Sequence, residues 1–138
     1  MTDTTTDDID ELREKRRREL VESAETAETA ETPDEPVYAN GADELDQVVA
    51  DNDVVLVDFY ADWCGPCQML EPTLESIAAE TNAVVAKVDI DANQNLAAEY
   101  GVRGVPNVVA FVNGEPTERV VGVRDRSVYA NIVAEAGA

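Results

Sequence analysis

The sequence predicts a layered α/β domain, with a central mixed sheet of about five strands flanked by four helices. Apolar segments short enough for strands alternate with segments of helical periodicity, which predicts the order β-α-β-α-β-α-β-β-α. Strands that alternate with helices pair in parallel, because each helix carries the chain back across the sheet. The Asn113-Gly114 pair is a strong hairpin signal, so the last two strands should be antiparallel.

The first three elements follow from residue type and spacing. VYA, residues 37–39, has the composition of a short edge strand. Residues 41–52 carry leucine and valine at helical spacing. VVLVDFY, residues 54–60, is apolar on both faces apart from one aspartate, which is typical of a strand at the centre of a sheet.

The next three elements repeat the alternation. Residues 67–80 have a helical pattern with Pro72 inside it, where a proline removes one backbone donor and should kink the helix. AVVAKVDID, residues 83–91, predicts a strand. NQNLAAEYG, residues 93–101, predicts a short helix that a glycine closes.

The chain ends with a hairpin and a helix. NVVAFVNGE, residues 107–115, predicts a strand that turns at its end into a second strand, PTERVVG, residues 116–122. The final segment, residues 125–137, predicts a helix with Asp125 or Ser127 as its N-cap.

The first part of the chain has a different composition. Residues 1–36 contain no glycine, aromatic residue or cysteine, and AETAETAET repeats every three residues, a period that gives neither a helix nor a strand a buried face. We predict a disordered acidic arm at residues 1–36 and a folded domain at residues 37–138. Residues 7–20 are either an exposed, fraying helix or a docking helix that uses the basic residues 16–18.

Charge and hydropathy limit the partners. The chain has 30 acidic and 10 basic residues and a net charge of −20, which disfavours nucleic acid and anionic membranes. Acid spread over the whole chain fits a protein of a high-salt cytoplasm; the alternative is that it serves solubility alone. No apolar run approaches the ~20 residues of a membrane span, and the N-terminus lacks the apolar stretch of a secretory signal. We expect a cytoplasmic protein.

Cys64 and Cys67 are the only cysteines. A metal site is disfavoured, because the chain has no histidine and no second cysteine pair. A structural disulfide across so short a loop constrains the unfolded chain little, and a reducing compartment would open it. Two inert buried thiols remain an alternative, and a dithiol that cycles with its disulfide is the favoured interpretation.

The predicted strand-turn-helix explains how such a dithiol would react. Cys64 lies at the N-terminus of a helix that begins near Gly65, where free N–H groups and the helix dipole stabilise a thiolate, the attacking species. Cys67, one turn further and more buried, would wait protonated and then attack the mixed disulfide. Pro66 stiffens the turn, and Gly65 lets another chain approach closely.

VDFYADWCGPCQML, residues 57–70, resembles the active-site segment of the thioredoxin family, and the resemblance runs from about Val37 to Ala136. It implies the thioredoxin fold and a protein-disulfide reductase without a bound cofactor. Cys64 would attack disulfide-containing client proteins and Cys67 would resolve them. A thioredoxin reductase or another dithiol donor would restore the reduced pair. We expect a monomer.

RGVPNVVAFVNGE, residues 103–115, is similar to the family segment whose proline follows a cis peptide bond and faces the cysteines. The resemblance implies a cis Val105-Pro106 bond, with the backbone of Val105 pairing with an extended substrate. Gly122 matches the small residue that lines the same groove, and Trp63 would cap the groove as an apolar contact.

Asp58 interrupts the otherwise apolar central strand. A buried carboxylate has a raised pKa and can accept a proton near neutral pH. The resemblance implies that Asp58 lies below Cys67 and deprotonates it, directly or through water, and that Lys87 is the lysine beside this aspartate. The alternatives are that Asp58 points outward and that Lys87 simply reaches solvent.

Two other functions stay open. An oxidase or isomerase of the same fold is the first, although Gly-Pro between the cysteines is the reducing version in this family and a histidine in the second place accompanies oxidising members. A binding or adaptor module is the second. Replacing both cysteines with serine would leave the activity of an adaptor intact and would abolish the activity of an enzyme.

Overall fold

The computed structural model describes residues 33–138, and the order of its elements is the predicted one. The strands are β1 (Val37–Tyr38), β2 (Val54–Tyr60), β3 (Val84–Asp89), β4 (Asn107–Val112) and β5 (Glu115–Val121). The helices are α1 (Ala42–Asp51), α2 (Gly65–Glu80), α3 (Gln94–Glu99) and α4 (Arg126–Glu135). The predicted acidic arm lies outside the described residues except for residues 33–36. Among the described helices, none is long and apolar enough to cross a membrane.

The strands form one mixed sheet in the order β1-β3-β2-β4-β5. β1 and β2 pair in parallel with β3, whereas β4 runs antiparallel to β2 and β5. β2 is the central strand, and all of its side chains except that of Tyr60 are buried. Asn113 and Gly114 join β4 to β5 with φ angles of 51° and 85°, the left-handed turn that matches the twist of a hairpin. The predicted central strand and hairpin are confirmed.

Side chains of β2 alternate between the two faces of the sheet, and two helices cover each face. Val57 and Phe59 pack on the face covered by α1 and α3. Leu56 packs on the opposite face, which α2 and α4 cover. Asp58 lies two residues after Leu56 and therefore shares its face, so the carboxylate enters the core on the side of α2.

Helix α2 is held firmly against the sheet, and its first turn contains the second cysteine. Leu70, Leu74 and Ile77 are buried in the core at helical spacing; each such side chain contributes about 1.5–3 kcal/mol through burial. Pro72 lies inside the helix, which continues without interruption to Glu80. Only four residues separate β2 from α2, so the start of α2 lies at the carboxyl end of the central strand.

Candidate active site

Cys64 occupies the N-cap position of α2. Its backbone is extended, and its Sγ accepts a hydrogen bond from the backbone N–H of Cys67 at 3.1 Å. Gly65 and Pro66 form the first positions of the helix, where a proline loses no hydrogen bond because its missing N–H would have no partner there. The sulfur therefore lies at the positive end of the helix dipole, which favours a negative charge on it.

Cys64 and Cys67 form a disulfide, with their Cα atoms 5.3 Å apart, so the structure is the oxidised state. The sequence predicts an accessible Cys64 and a hidden Cys67. The structure gives a smaller contrast, because Cys64 is 4% exposed and Cys67 2%. Tyr60, Ile90 and Val105 pack against the cysteine pair, and these contacts bury the attacking residue as well in the oxidised state.

Trp63 forms an exposed rim beside the disulfide. It is 69% exposed, and its Nε1 donates a hydrogen bond to Asp91 Oδ2 at 2.9 Å. Asp91 follows β3 and is a residue that sequence reasoning missed, because nothing in an acidic loop 28 positions away indicates this contact. Gly65 and Pro66 are exposed next to Trp63. Apart from the chain neighbours of Gly65 and the backbone of its own helix, no described atom lies within 4 Å of where a Cβ on Gly65 would stand. This open rim leaves room for another chain.

A second loop meets the cysteines from the start of β4. The Val105-Pro106 peptide bond is cis, as the resemblance predicts, and Val105 is half-buried against the cysteine pair. The Gly122 N–H donates a hydrogen bond to the Pro106 carbonyl at 2.9 Å, with a φ of 84° that favours glycine. The structure therefore packs Val105 against the cysteine pair and links Gly122 to the neighbouring Pro106.

Asp58 and Lys87 are both buried, with exposed fractions of 0% and 4%, so the interpretations in which they reach solvent are wrong. Neither carboxylate oxygen of Asp58 has a hydrogen-bond partner, and Lys87 Nζ lies 3.8 Å from Asp58 Oδ2. Burial raises the pKa of Asp58 from 3.8 to about 6; Lys87 opposes this rise and Glu71 adds to it. A carboxyl group with this pKa can exchange a proton near neutral pH.

Lys87 has a closer partner than Asp58. Its Nζ donates a hydrogen bond to Glu71 Oε1 at 3.1 Å and lies 4.6 Å from the centre of the Tyr60 ring, which suits a cation–π contact. Burial is the main cause that raises the pKa of Tyr60 to about 12, so its hydroxyl stays protonated. Glu71 is the second residue that sequence reasoning missed, because an acid on a helix normally indicates a solvated face.

The described residues contain no cluster of side chains typical of a metal centre. In residues 33–138, no group of three or more His, Cys, Asp or Glu side chains is arranged to hold a metal ion.

Comparison with known proteins agrees with this geometry. The family model described as "Thioredoxin" matches residues 36–135. The chain belongs to the thioredoxin family. Members are protein-disulfide oxidoreductases, and the Cys64–Cys67 pair fits the Cys-Gly-Pro-Cys site of this family.

Individual thioredoxins resemble the chain over most of its domain. The solved structure of a mutant thioredoxin from Halobacterium salinarum NRC-1 is 56% identical, with a TM-score of 0.76 over 78% of this chain and 95% of that one. A thioredoxin from Chlamydia muridarum is 43% identical over 83 residues, which are 59% of this chain and 81% of that protein. A bifunctional thioredoxin reductase/thioredoxin from Mycobacterium leprae is 44% identical over 58% of this chain and 18% of its own length.

Proposed function

We propose that this chain is a general protein-disulfide reductase of the thioredoxin type, in which Cys64 attacks and Cys67 resolves. The position of the Cys64 sulfur as the N-cap of α2 is the observation that carries this assignment. In the reduced protein the free backbone N–H groups of the first turn of α2 would stabilise a Cys64 thiolate, which is the species that attacks a disulfide.

The first step transfers the client to the enzyme. The Cys64 thiolate attacks one sulfur of the client disulfide, so that a bond forms between Cys64 and that sulfur while the client S–S bond breaks. The second client sulfur leaves as a thiolate and takes a proton from solvent. The product is a mixed disulfide.

The second step releases the client. Cys67, in the first turn of α2, gives its proton to Asp58, which lies on the sheet face that α2 covers. The Cys67 thiolate then attacks the sulfur of Cys64, the bond between Cys64 and the client breaks, and the client sulfur leaves as a thiolate that takes a proton from solvent. Asp58 afterwards returns the Cys67 proton to solvent. The client gains two electrons and two protons in total, and the enzyme returns to the disulfide seen here.

The groove around the disulfide suits an extended peptide. Trp63 offers an exposed apolar face next to Cys64, and Val105 packs against the same cysteine pair. We propose that the backbone of Val105 pairs with the client chain, as in β-strand addition, because its N–H and carbonyl take part in none of the loop hydrogen bonds of residues 33–138. Gly65 and Pro66 give the client backbone close access to Cys64.

The oxidised pair needs an electron donor. We propose a thioredoxin reductase or another dithiol donor, and no cofactor held by this chain itself. The Mycobacterium leprae relative, whose name joins both activities in one chain, supports a reductase partner. A reductase of this kind needs a reducing compartment, so we propose a cytoplasmic location and a monomer that meets its partners transiently.

The net charge of −20 supports a further part of the proposal, which is function in concentrated salt. Close carboxylates repel one another in dilute buffer, and salt screens that repulsion. The midpoint of thermal unfolding should rise between dilute buffer and molar KCl. This rise should be larger than the rise that an uncharged osmolyte produces at the same osmolarity. A midpoint that KCl leaves unchanged contradicts this part and leaves the redox proposal intact.

Insulin reduction tests the redox proposal. The full chain with dithiothreitol should precipitate insulin faster than dithiothreitol alone, and Cys64→Ser should abolish the acceleration. Cys67→Ser should retain clients as mixed disulfides on Cys64 that mass spectrometry identifies. A pair that stays a disulfide in excess dithiothreitol would instead be structural, and a pair that readily oxidises glutathione would indicate an oxidase.

A further inference from the structure

Glu71 lies at the solvent side of the buried Asp58–Lys87 pair. It stands four residues after Cys67 in α2, one helical turn further along, and its side chain is 45% exposed. Lys87 and Asp58 face each other in neighbouring strands, in register, with side chains 4% and 1% exposed. The three charged groups therefore run from the core to the surface in the order Asp58, Lys87, Glu71.

The Lys87 ammonium is bound to the outer carboxylate rather than the inner one. Its Nζ lies 3.1 Å from Glu71 and forms a hydrogen bond, whereas it lies 3.8 Å from Asp58 and forms none. Among the described residues these are its only carboxylate partners within 4 Å. If Glu71 lost its charge, Asp58 would be the remaining anion for this ammonium, and a buried charge strongly favours an opposite one nearby.

A surface cleft of about 450 Å³ reaches this pair from outside. Lys87, Glu71, Glu75 and Tyr38 contribute to its walls, and Asp58 does not. The Lys87–Glu71 pair thus stands between Asp58 and the cleft, while Asp58 keeps both oxygens without a hydrogen bond. An unpaired carboxylate is costly to bury, and a proton from a nearby thiol would relieve that cost.

We propose that Glu71 is a positioning residue for the reductase reaction: it holds the Lys87 ammonium away from Asp58 and so keeps the Asp58 carboxylate free to take the Cys67 proton. This inference rests on the proposed function. Glu71 touches neither the client nor a sulfur; it acts through Lys87.

The charged and titratable groups around Asp58 indicate that loss of the Glu71 charge should lower the pKa of Asp58. Lys87 faces Asp58 from β3, and Glu71 lies above Lys87 on α2. Tyr129 of α4 has a pKa that burial mainly raises and to which Asp58 adds a smaller rise. From β4 the paired residue is Val108, which does not titrate. Glu71 raises the pKa of Asp58 by like charge, and Lys87 lowers it. Loss of the Glu71 charge removes the first effect and strengthens the second.

The test compares Glu71→Gln with Glu75→Gln. Glu75 is exposed on the same helix and lines the same cleft, so its substitution makes the same change in net charge without freeing Lys87. The ¹³C shift of the Asp58 carboxyl group, followed across pH in the oxidised protein, reports the titration without a free thiol in the site. Glu71→Gln should lower the midpoint by about one pH unit, and Glu75→Gln should leave it nearly unchanged.

A second readout follows the reaction. The acidic limb of the pH profile for insulin reduction should move to lower pH in Glu71→Gln by the same amount, and its plateau should fall because a weaker base accepts the proton less readily. An Asp58 midpoint that shifts equally in both variants, or upward in Glu71→Gln, overturns the inference. If wild-type protein fails to reduce insulin while the carboxyl shifts differ as expected, the proposed function fails and the control of Lys87 by Glu71 stands.

Discussion

Asp58 and Lys87 stand directly opposite each other on β2 and β3, yet their charged atoms lie 3.8 Å apart and share no hydrogen bond. The buried carboxylate is thus only partly compensated. Burial raises its pKa from 3.8 to about 6, despite the attraction of Lys87. The folded protein therefore binds a proton at Asp58 more tightly than the unfolded chain does.

Asp58→Asn should stabilise the oxidised protein in neutral and alkaline buffer. Because the folded pKa lies about two units above the unfolded one, stability from this group is fully present below about pH 4 and is lost as pH rises to about 6. The free energy of unfolding should thus gain up to about 3 kcal/mol in the variant above pH 6, and far less near pH 4. Urea unfolding at both pH values measures this. An equal gain at the two values would show that ionisation is not the cause.

Lys87→Met should move the titration of Asp58 in the direction opposite to Glu71→Gln. Without the ammonium, the carboxylate loses its nearest opposite charge, so its pKa should rise by about one unit. The acidic limb of insulin reduction should move to higher pH with it. Arg126→Met is the matched control, because Arg126 pairs with Glu80 at the far end of α2. A fall in the Asp58 midpoint in Lys87→Met would contradict the electrostatic account.

Asp91→Ala should weaken client binding, because the Trp63 indole loses the acceptor that orients it at the rim. The KM for a protein disulfide should rise about threefold to tenfold, as expected from about 1 kcal/mol for one hydrogen bond, with kcat little changed. Asp91→Asn keeps an oxygen acceptor and serves as the control. If both variants raise KM equally, the negative charge matters and the hydrogen bond does not.

Alkylation of the reduced protein should label Cys64 well before Cys67. The small exposure of Cys64 belongs to the oxidised state, in which its sulfur is bonded to Cys67. After reduction, the N-cap position should favour its thiolate at mildly acidic pH, where an ordinary thiol is protonated. Mass spectrometry after a short iodoacetamide pulse measures the ratio. Equal labelling, or labelling as slow as that of a free thiol, would contradict the proposed roles.

The sequence predicts the fold well where local pattern and tertiary packing agree. β2 is apolar along nearly its whole length and is central in the sheet, and Asn113-Gly114 forms the expected left-handed turn. The spacing of Cys64 and Cys67 at a predicted helix start likewise indicates the redox pair. In these cases a few neighbouring residues contain the whole signal.

Contacts between distant residues could not be predicted in the same way. Glu71 and Asp91 bind Lys87 and Trp63, which stand 16 and 28 positions away, and 30 acidic residues in the chain offer no pattern that separates these two from the rest. The cis bond before Pro106 came from resemblance alone, since most bonds before proline are trans. The near-equal burial of the two cysteines depends on packing by Tyr60, Ile90 and Val105.

The hairpin turn lies at the end of β4 opposite to Pro106. Six strand residues separate the two points, a distance of about 20 Å at ~3.3 Å per residue. Asn113 and Gly114 are exposed there. The turn thus lies at the end of β4 away from the proposed client site. A fluorophore or affinity peptide attached at the turn should therefore report on captured clients without blocking that site.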